Sequence, residues 1–331
     1  VIAPKAGIED PVFSGVFDGR GRTIRNLTID TLGDADASND GADCLGLFGQ
    51  CRQAVVKGLC LENASVRCGD SRYVGGLCGR SEGSTISRCV FGGTVQSGSR
   101  SQYVGGLVGE AGWLWTSGAF PDGYFMAGQV ELSCVRGTVA GGTSVGGLVG
   151  QSSVCIIAMS STEIDVVGER EVGGLVGSHY GHVAVCNCCS TGVVTGEINV
   201  GGLVGSSSAV RTDDGIVNCC AACLVRGDSR IGGLVGYATE REIFHGCFWD
   251  MDVCGLVVSD GGTGLHTRDM QEESTFVAAG WDFEWPIWSI AADEYPHLVW
   301  SRSEGCEGEV ADHVFEICID TGVDYENPGV T

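Results

Sequence analysis

Along almost the whole chain, apolar or small residues alternate with polar ones over stretches of four to eight residues, and no segment holds a 3.6-residue apolar period for three turns. The alternation predicts many short β-strands, rich in β-branched residues and separated by Gly, Ser, Asn and Asp. Helix should be scarce. Laid over the alternation is one phrase, Gly-Leu-hydrophobic-Gly, which occurs seven times and centres on Leu47, Leu77, Leu107, Leu148, Leu175, Leu203 and Leu234. The leucines follow one another at 30, 30, 41, 27, 28 and 31 residues. A second half-repeat lies between the phrases, as in Ile86-Ser-Arg-Cys89 before Gly93-Thr94-Val95, or Ile216-Val-Asn-Cys219-Cys220 before Leu224-Val225.

A unit of about 30 residues made of short strands cannot bury its own apolar face and needs copies stacked on either side of it. The period therefore predicts an all-β, parallel β-helix-like solenoid of seven to nine coils, with a short capping segment at its C-terminal end. Glycine beside each leucine fits either a corner of positive φ or a close approach of two backbones, with the leucines stacked inward as a ladder. Replacing Leu148 or Leu175 by Ala should then cost about 2–5 kcal/mol. The 41-residue interval holds an insertion from Glu110 to about Met126 that carries Trp113, Trp115, Phe120, Tyr124 and Phe125. Insertions in solenoids project from one face.

Composition narrows the setting. The 331 residues include 55 Gly without a triplet period and carry 43% hydrophobic against 18% charged side chains, which excludes collagen and a disordered acidic chain. A formal charge of -23 opposes binding to nucleic acid and to anionic lipid surfaces, and no apolar run is long enough to insert in a membrane. Eighteen cysteines point to an oxidising, extracellular location. The chain begins at Val1 with no visible leader, so any targeting segment is expected to have been removed or to lie outside it. The triplets beginning at Asn26 and Asn63 are N-glycosylation acceptors in form.

The phrase Val-Gly-Gly-Leu-Val-Gly, followed by Ile-x-x-Cys and Gly-Thr-Val, resembles the GLUG-motif repeats of bacterial and other cell-surface proteins, including adhesin-like and peptidase-attached regions. Upstream, Phe13 to Ile29 resembles the opening coil that precedes such repeats, and downstream Cys247 to Trp300 resembles their closing segment. The resemblance implies a right-handed solenoid over 1–300, with an opening coil at 1–43, repeats at 44–246 and a closing segment at 247–300. Residues 301–331 form a tail without a counterpart. The resemblance implies no catalytic residues. This copy has more cysteine than the family usually carries.

Neighbouring coils lie about 4.8 Å apart, inside the ~4.4–6.8 Å Cα range of a disulfide, so cysteines at equivalent positions should be bridged. Candidate pairs are Cys188 or Cys189 with Cys219 or Cys220, and Cys60 with Cys89; local pairs are Cys44 with Cys51 and Cys306 with Cys318. A zinc candidate lies at His179, His182, Cys186 and Cys188, although the cysteines align with the cysteine-bearing strand of other repeats. Asp36, Ser38 and Asp40 begin like a calcium loop, but Leu47 stands where its bidentate Glu belongs, so a solvated turn is the simpler reading and no cofactor is expected. Lysine occurs only at Lys5 and Lys57, and the acids fall in turns and in the tail, so a groove with paired catalytic acids is not evident. The tail alternates Phe315, Ile317 and Ile319 as a half-buried strand does, on an adjoining coil or on a neighbouring subunit. The sequence thus points to a secreted or cell-surface, non-enzymatic structural or adhesive protein that self-associates head to tail into a filament. The alternatives are a glycan-binding module for a host or surface ligand and, third, a polysaccharide-cleaving β-helix enzyme.

Overall fold

In the computed structural model, short alternating strands close into coils because each can bury its apolar side only against the next turn of chain. The structure describes residues 12–32, 44–112, 114–116, 124–181, 184–209, 215–240, 242–284 and 287–302. Two sheets of seven strands and one of sixteen run the length of the stack, and every pairing between coils is parallel. Each repeat adds one strand to the first sheet, such as Arg170–Gly173, and turns at Gly-Leu. It then adds a strand to the second, such as Val176–Gly181, and finally a short and a long strand to the third, such as Val185–Cys186 and Cys189–Thr195. Seven strands per sheet amount to about six turns, close to the expected seven to nine coils. The strands Val16–Arg25 and Thr28–Asp30 cover one end by pairing with Val55–Arg67.

The Gly-Leu corner is the spine. Leu77, Leu107, Leu148, Leu175, Leu203 and Leu234 are at most 1% exposed, Leu47 at the end is 9% exposed, and all seven belong to one continuous core. Their main chains bond rung to rung, Leu148 N–H to Leu175 O at 2.8 Å and Leu175 N–H to Leu203 O at 2.9 Å. Of the two reasons for glycine, close approach is the operative one here. A Cβ on Gly174 would lie 2.1 Å from Gly202 O, and one on Gly147 would lie 2.0 Å from Gly174 O.

A second corner joins the short and long strands of the third sheet. Its leading residue takes a left-handed conformation at Gly58 and, in the six coils that follow, at Arg88, Leu132, Met159, Asn187, Asn218 and Gly246; the next residue is Leu59 in the first and Cys or Ser in those six. The 41-residue repeat keeps the pitch. Its extra chain leaves as an antiparallel pair, Leu114–Thr116 with Tyr124–Met126, while the ladders on both sides remain in register.

The closing segment does more than cover the end. Residues 256–265 cross the last coil, and Thr263–Leu265 pairs with Phe248–Asp250. Three short helices, α1 (Met251–Cys254), α2 (Thr267–Met270) and α3 (Glu273–Ala278), lead into chain that folds back along the flank. There Met270, Phe276, Trp281, Trp288 and Leu298 bury the outward side of the second corners against Leu132, Met159 and Cys220, forming a second apolar cluster.

Candidate functional site

The cysteines are built into the second corner, and their chemistry there is that of serine. Cys89, Ser133, Ser160, Cys188, Cys219 and Cys247 occupy one column, each donating from its side chain to the carbonyl two residues earlier. This turn closes the left-handed corner with a local bond that either a thiol or a hydroxyl can make. Burial pushes the Cys89 thiol up to about 12 and the Cys223 thiol up to about 12, and raises Cys219 as well. Such thiols are neutral and unreactive at ordinary pH.

The expected bridges are therefore corrected. Cys44, Cys51, Cys60, Cys89, Cys188, Cys189, Cys219 and Cys220 are all buried thiols, whereas Cys186 is disulfide-bonded. Cys189 and Cys220 do stand in register. However, parallel strands keep in-register Cβ atoms about 4.8 Å apart, and a disulfide wants them near 3.8 Å. Judging by Cα separation alone overlooked this. Cys60 faces Val90, one residue past Cys89, and Cys44 and Cys51 lie on different sheets. Cys306 and Cys318 lie outside the described residues, as do Asp36, Ser38 and Asp40 of the calcium candidate and Phe315, Ile317 and Ile319 of the tail.

The zinc candidate also comes apart. His179 is buried inside the second sheet with Nδ1 3.3 Å from Ser152 Oγ, Cys188 belongs to the main core, and Cys186 belongs to the flank cluster. His182 lies outside the described residues, and among those described no three ligands converge on a metal position. Asn26 and Asn63 are exposed on adjacent coils, and Asn63 Nδ2 donates to Asn26 Oδ1 at 2.6 Å. The coil thus stacks the two acceptor triplets, pairing Thr28 with Ser65. Trp113 and Phe120 of the insertion lie outside the described residues.

Two polar clusters escaped the sequence reading. On the second sheet, Glu82 accepts from Arg52 Nε at 2.8 Å and Arg80 at 2.9 Å, and Arg80 Nε also reaches Glu110 at 2.7 Å. Beside them the Tyr73 and Tyr103 rings stack at 5.5 Å, with Arg80 and Arg72 over the Tyr73 ring at 5.1 and 5.2 Å. At the closing end, buried Asp250 accepts from the N–H groups of Asp252 and Val253 through Oδ1, and from Thr267 Oγ1 at 2.7 Å and Tyr295 OH at 2.6 Å through Oδ2. Burial, then the bond to Asp250, raises the Tyr295 phenol. Every oxygen of this carboxylate is occupied in holding the closing segment, so the cluster is a clasp. The period could have revealed the first cluster, because Arg52 and Glu82, Arg80 and Glu110, and Tyr73 and Tyr103 hold equivalent positions in successive repeats; the Asp250 cluster draws on non-repeating chain and gave no such signal.

With the geometry in hand, a family profile described as "The GLUG motif" matches residues 70–96, which run from just before the Tyr73–Gly75 strand to the end of Val90–Gln96. The chain carries the GLUG motif. Similar stretches occur in the "Putative Gly-rich membrane protein" of Evansella cellulosilytica, 50% identical over 50 residues, and in "Halomucin" of Haloquadratum walsbyi, 41% identical over 102 residues. These matches cover 15% and 30% of this chain, and 6% and 1% of those much longer relatives. Among solved structures, one named a "putative immunoglobulin A1 protease" from Bacteroides ovatus matches with a TM-score of 0.51 and 17% identity, over 86% of this chain and 77% of that one. That likeness shows the fold alone. Among the described residues, no helix is long and apolar enough to cross a membrane. One GLUG unit is accordingly one coil: its Gly-Leu is the spine and its Ile-x-x-Cys is the second corner.

Proposed function

We propose that this GLUG-repeat solenoid is a non-enzymatic, structural and adhesive stretch of an extracellular or cell-surface protein. The observation that carries the reading is the unbroken spine. Seven Gly-Leu rungs repeat one pattern of backbone bonds and buried leucines, which gives an extended, stiff body whose insertion leaves the stack as an antiparallel pair. The names of the similar stretches, halomucin and a Gly-rich membrane protein, support a location at the cell surface. With the described cysteines other than Cys186 present as thiols, the extracellular reading draws its support from these relatives and from the acidic composition, which keeps such a body soluble and dispersed. The test is to treat intact cells with an impermeant amine label and a protease. Modification of this chain on whole cells is expected. Protection until the cells are lysed, or hydrolysis of a polysaccharide or peptide that a single acidic substitution abolishes, would overturn the reading.

A further inference from the structure

The outer face of the second sheet changes character along the stack. In the first coils it carries the ion pairs of Arg52, Arg80, Glu82 and Glu110. From Val149–Ser153 onward its two outward columns hold neutral polar side chains. One runs Gln151, Ser178, Ser206 and the other Ser153, Tyr180, Ser208, each member in register with the next. The first column ends on Tyr237, whose ring lies under Arg230 at 4.7 Å. Between the columns, Ser152, His179 and Ser207 are buried on the inner side.

Tyr180 stands out of this face and is 53% exposed. Where tyrosines follow one another in a column each ring covers the next, as Tyr73 and Tyr103 do at 5.5 Å. Tyr180 instead has Ser153 on one side and Ser208 on the other, and serine is too short to cover a ring. Gln151 beside it donates from Nε2 to Ser153 Oγ at 3.0 Å, while its buried Oε1 finds no donor among the described residues. An acceptor left in that state is costly and calls for a partner from outside the protein.

A bare aromatic ring among hydroxyls and an unpaired amide oxygen suits a sugar, whose C–H face takes the ring and whose hydroxyls take the polar groups. The spacing suits a chain of sugars. Coils rise about 4.8 Å apiece, close to the advance of a linear hexose polymer per unit, so successive sugars meet the same columns in successive coils. Charge selects among such chains. The face is neutral in a protein of formal charge -23, which disfavours polymers bearing carboxylate or sulfate.

We propose that the outer face formed by Val149–Ser153, Val176–Gly181 and Val204–Ala209 binds a neutral, linear polysaccharide along the solenoid axis, with one sugar stacked on Tyr180. This names a ligand for the adhesive reading and rests on that reading for its place in the cell. Binding is read on the purified chain and surface location on whole cells, so the two can fail separately.

The experiment is affinity electrophoresis of the full chain through gels holding a neutral polymer, namely a β-glucan, a mannan or a galactan, or an acidic one, alginate or polygalacturonate. The variants are Tyr180→Ala, Ser208→Tyr and, as a control on the third sheet, Thr138→Ala, each checked by circular dichroism. Ser208→Tyr sets a second ring against Tyr180, as Tyr103 lies against Tyr73, and so closes the platform without removing it. Retardation by at least one neutral polymer is expected, weakened about tenfold in Tyr180→Ala and Ser208→Tyr and unchanged in Thr138→Ala. No retardation by any of the three neutral polymers would overturn the proposal. So would equal retardation of the parent chain and both platform variants, or tighter binding to the acidic polymers.

Discussion

At the scale of single residues, the second corner explains why this chain tolerates so much cysteine. Ser133 and Ser160 share a column with Cys89, Cys188, Cys219 and Cys247 and donate to equivalent carbonyls. Cys219→Ser should therefore cost about 1 kcal/mol or less in urea unfolding, because the hydroxyl inherits the bond to Val217 O. Cys219→Leu should cost more, about 1–3 kcal/mol, by crowding a fully buried site. If serine were the worse of the two, the shared column would not be the reason for these cysteines. In the sequence, the even count and recurring position of Cys were plain, but their oxidation state depended on Cβ geometry, which spacing does not contain. The leucines were legible because their burial is a property of the repeat. Left-handed Leu132 and Met159 were the overlooked clue. A large apolar residue at an exposed corner of positive φ is strained and unsheltered unless something covers it, and the closing segment does.

At the scale of elements, the closing segment is fastened at separate points. Trp281 Nε1 donates to Gly246 O at 2.8 Å, Trp288 Nε1 to Asn187 Oδ1 at 3.3 Å and Trp300 Nε1 to Met159 O at 3.0 Å, so one stretch of chain grips several coils. Asp250 ties this stretch to the last long strand. Asp250→Ala leaves two backbone amides and the Thr267 and Tyr295 hydroxyls without their acceptor, and about 3 kcal/mol or more should be lost. Tryptophan emission should shift red while the β-sheet circular dichroism persists; simultaneous loss of both signals would show that the segment is not a separable clamp. The exposed pair His266 and Asp252, 3.0 Å apart, adds a pH dependence. Asp252 raises His266 by hydrogen bond and charge. The Thr267 amide and then His266 lower Asp252. The histidine's contribution is complete below its unfolded pKa of about 6.5 and is lost as pH rises through its higher folded value. The aspartate's contribution is complete above about 3.9 and is lost as pH falls through its lower folded value. The closing segment should therefore be held best between about pH 4 and 6.5, and tryptophan emission against pH should show loosening on either side. His266→Gln should remove the alkaline limb.

At the scale of the whole molecule, stability is spread along the stack, since each coil touches mainly the coils beside it. Leu175→Ala should cost about 2–5 kcal/mol by emptying a site in the middle of the spine. Exchange is expected to quicken most in 143–205 and least at Val55–Arg67; uniform quickening would instead indicate a single cooperative unit. The solenoid, its approximate number of turns and its flanking insertion were readable from a period of about 30 residues. The fold-back of residues 266–302 was not, because nothing in a non-repeating aromatic stretch reveals whether it crosses an end or lies along a side.

The hairpin of Leu114–Thr116 and Tyr124–Met126 departs from one coil while the ladders above and below keep their pairing. Growth at that bend is therefore decoupled from the load-bearing stack. A foreign epitope or a small folded module spliced into this insertion would leave the pairing of the coils on either side intact, and it would ride as cargo at a height along the rod fixed by the coil that carries it.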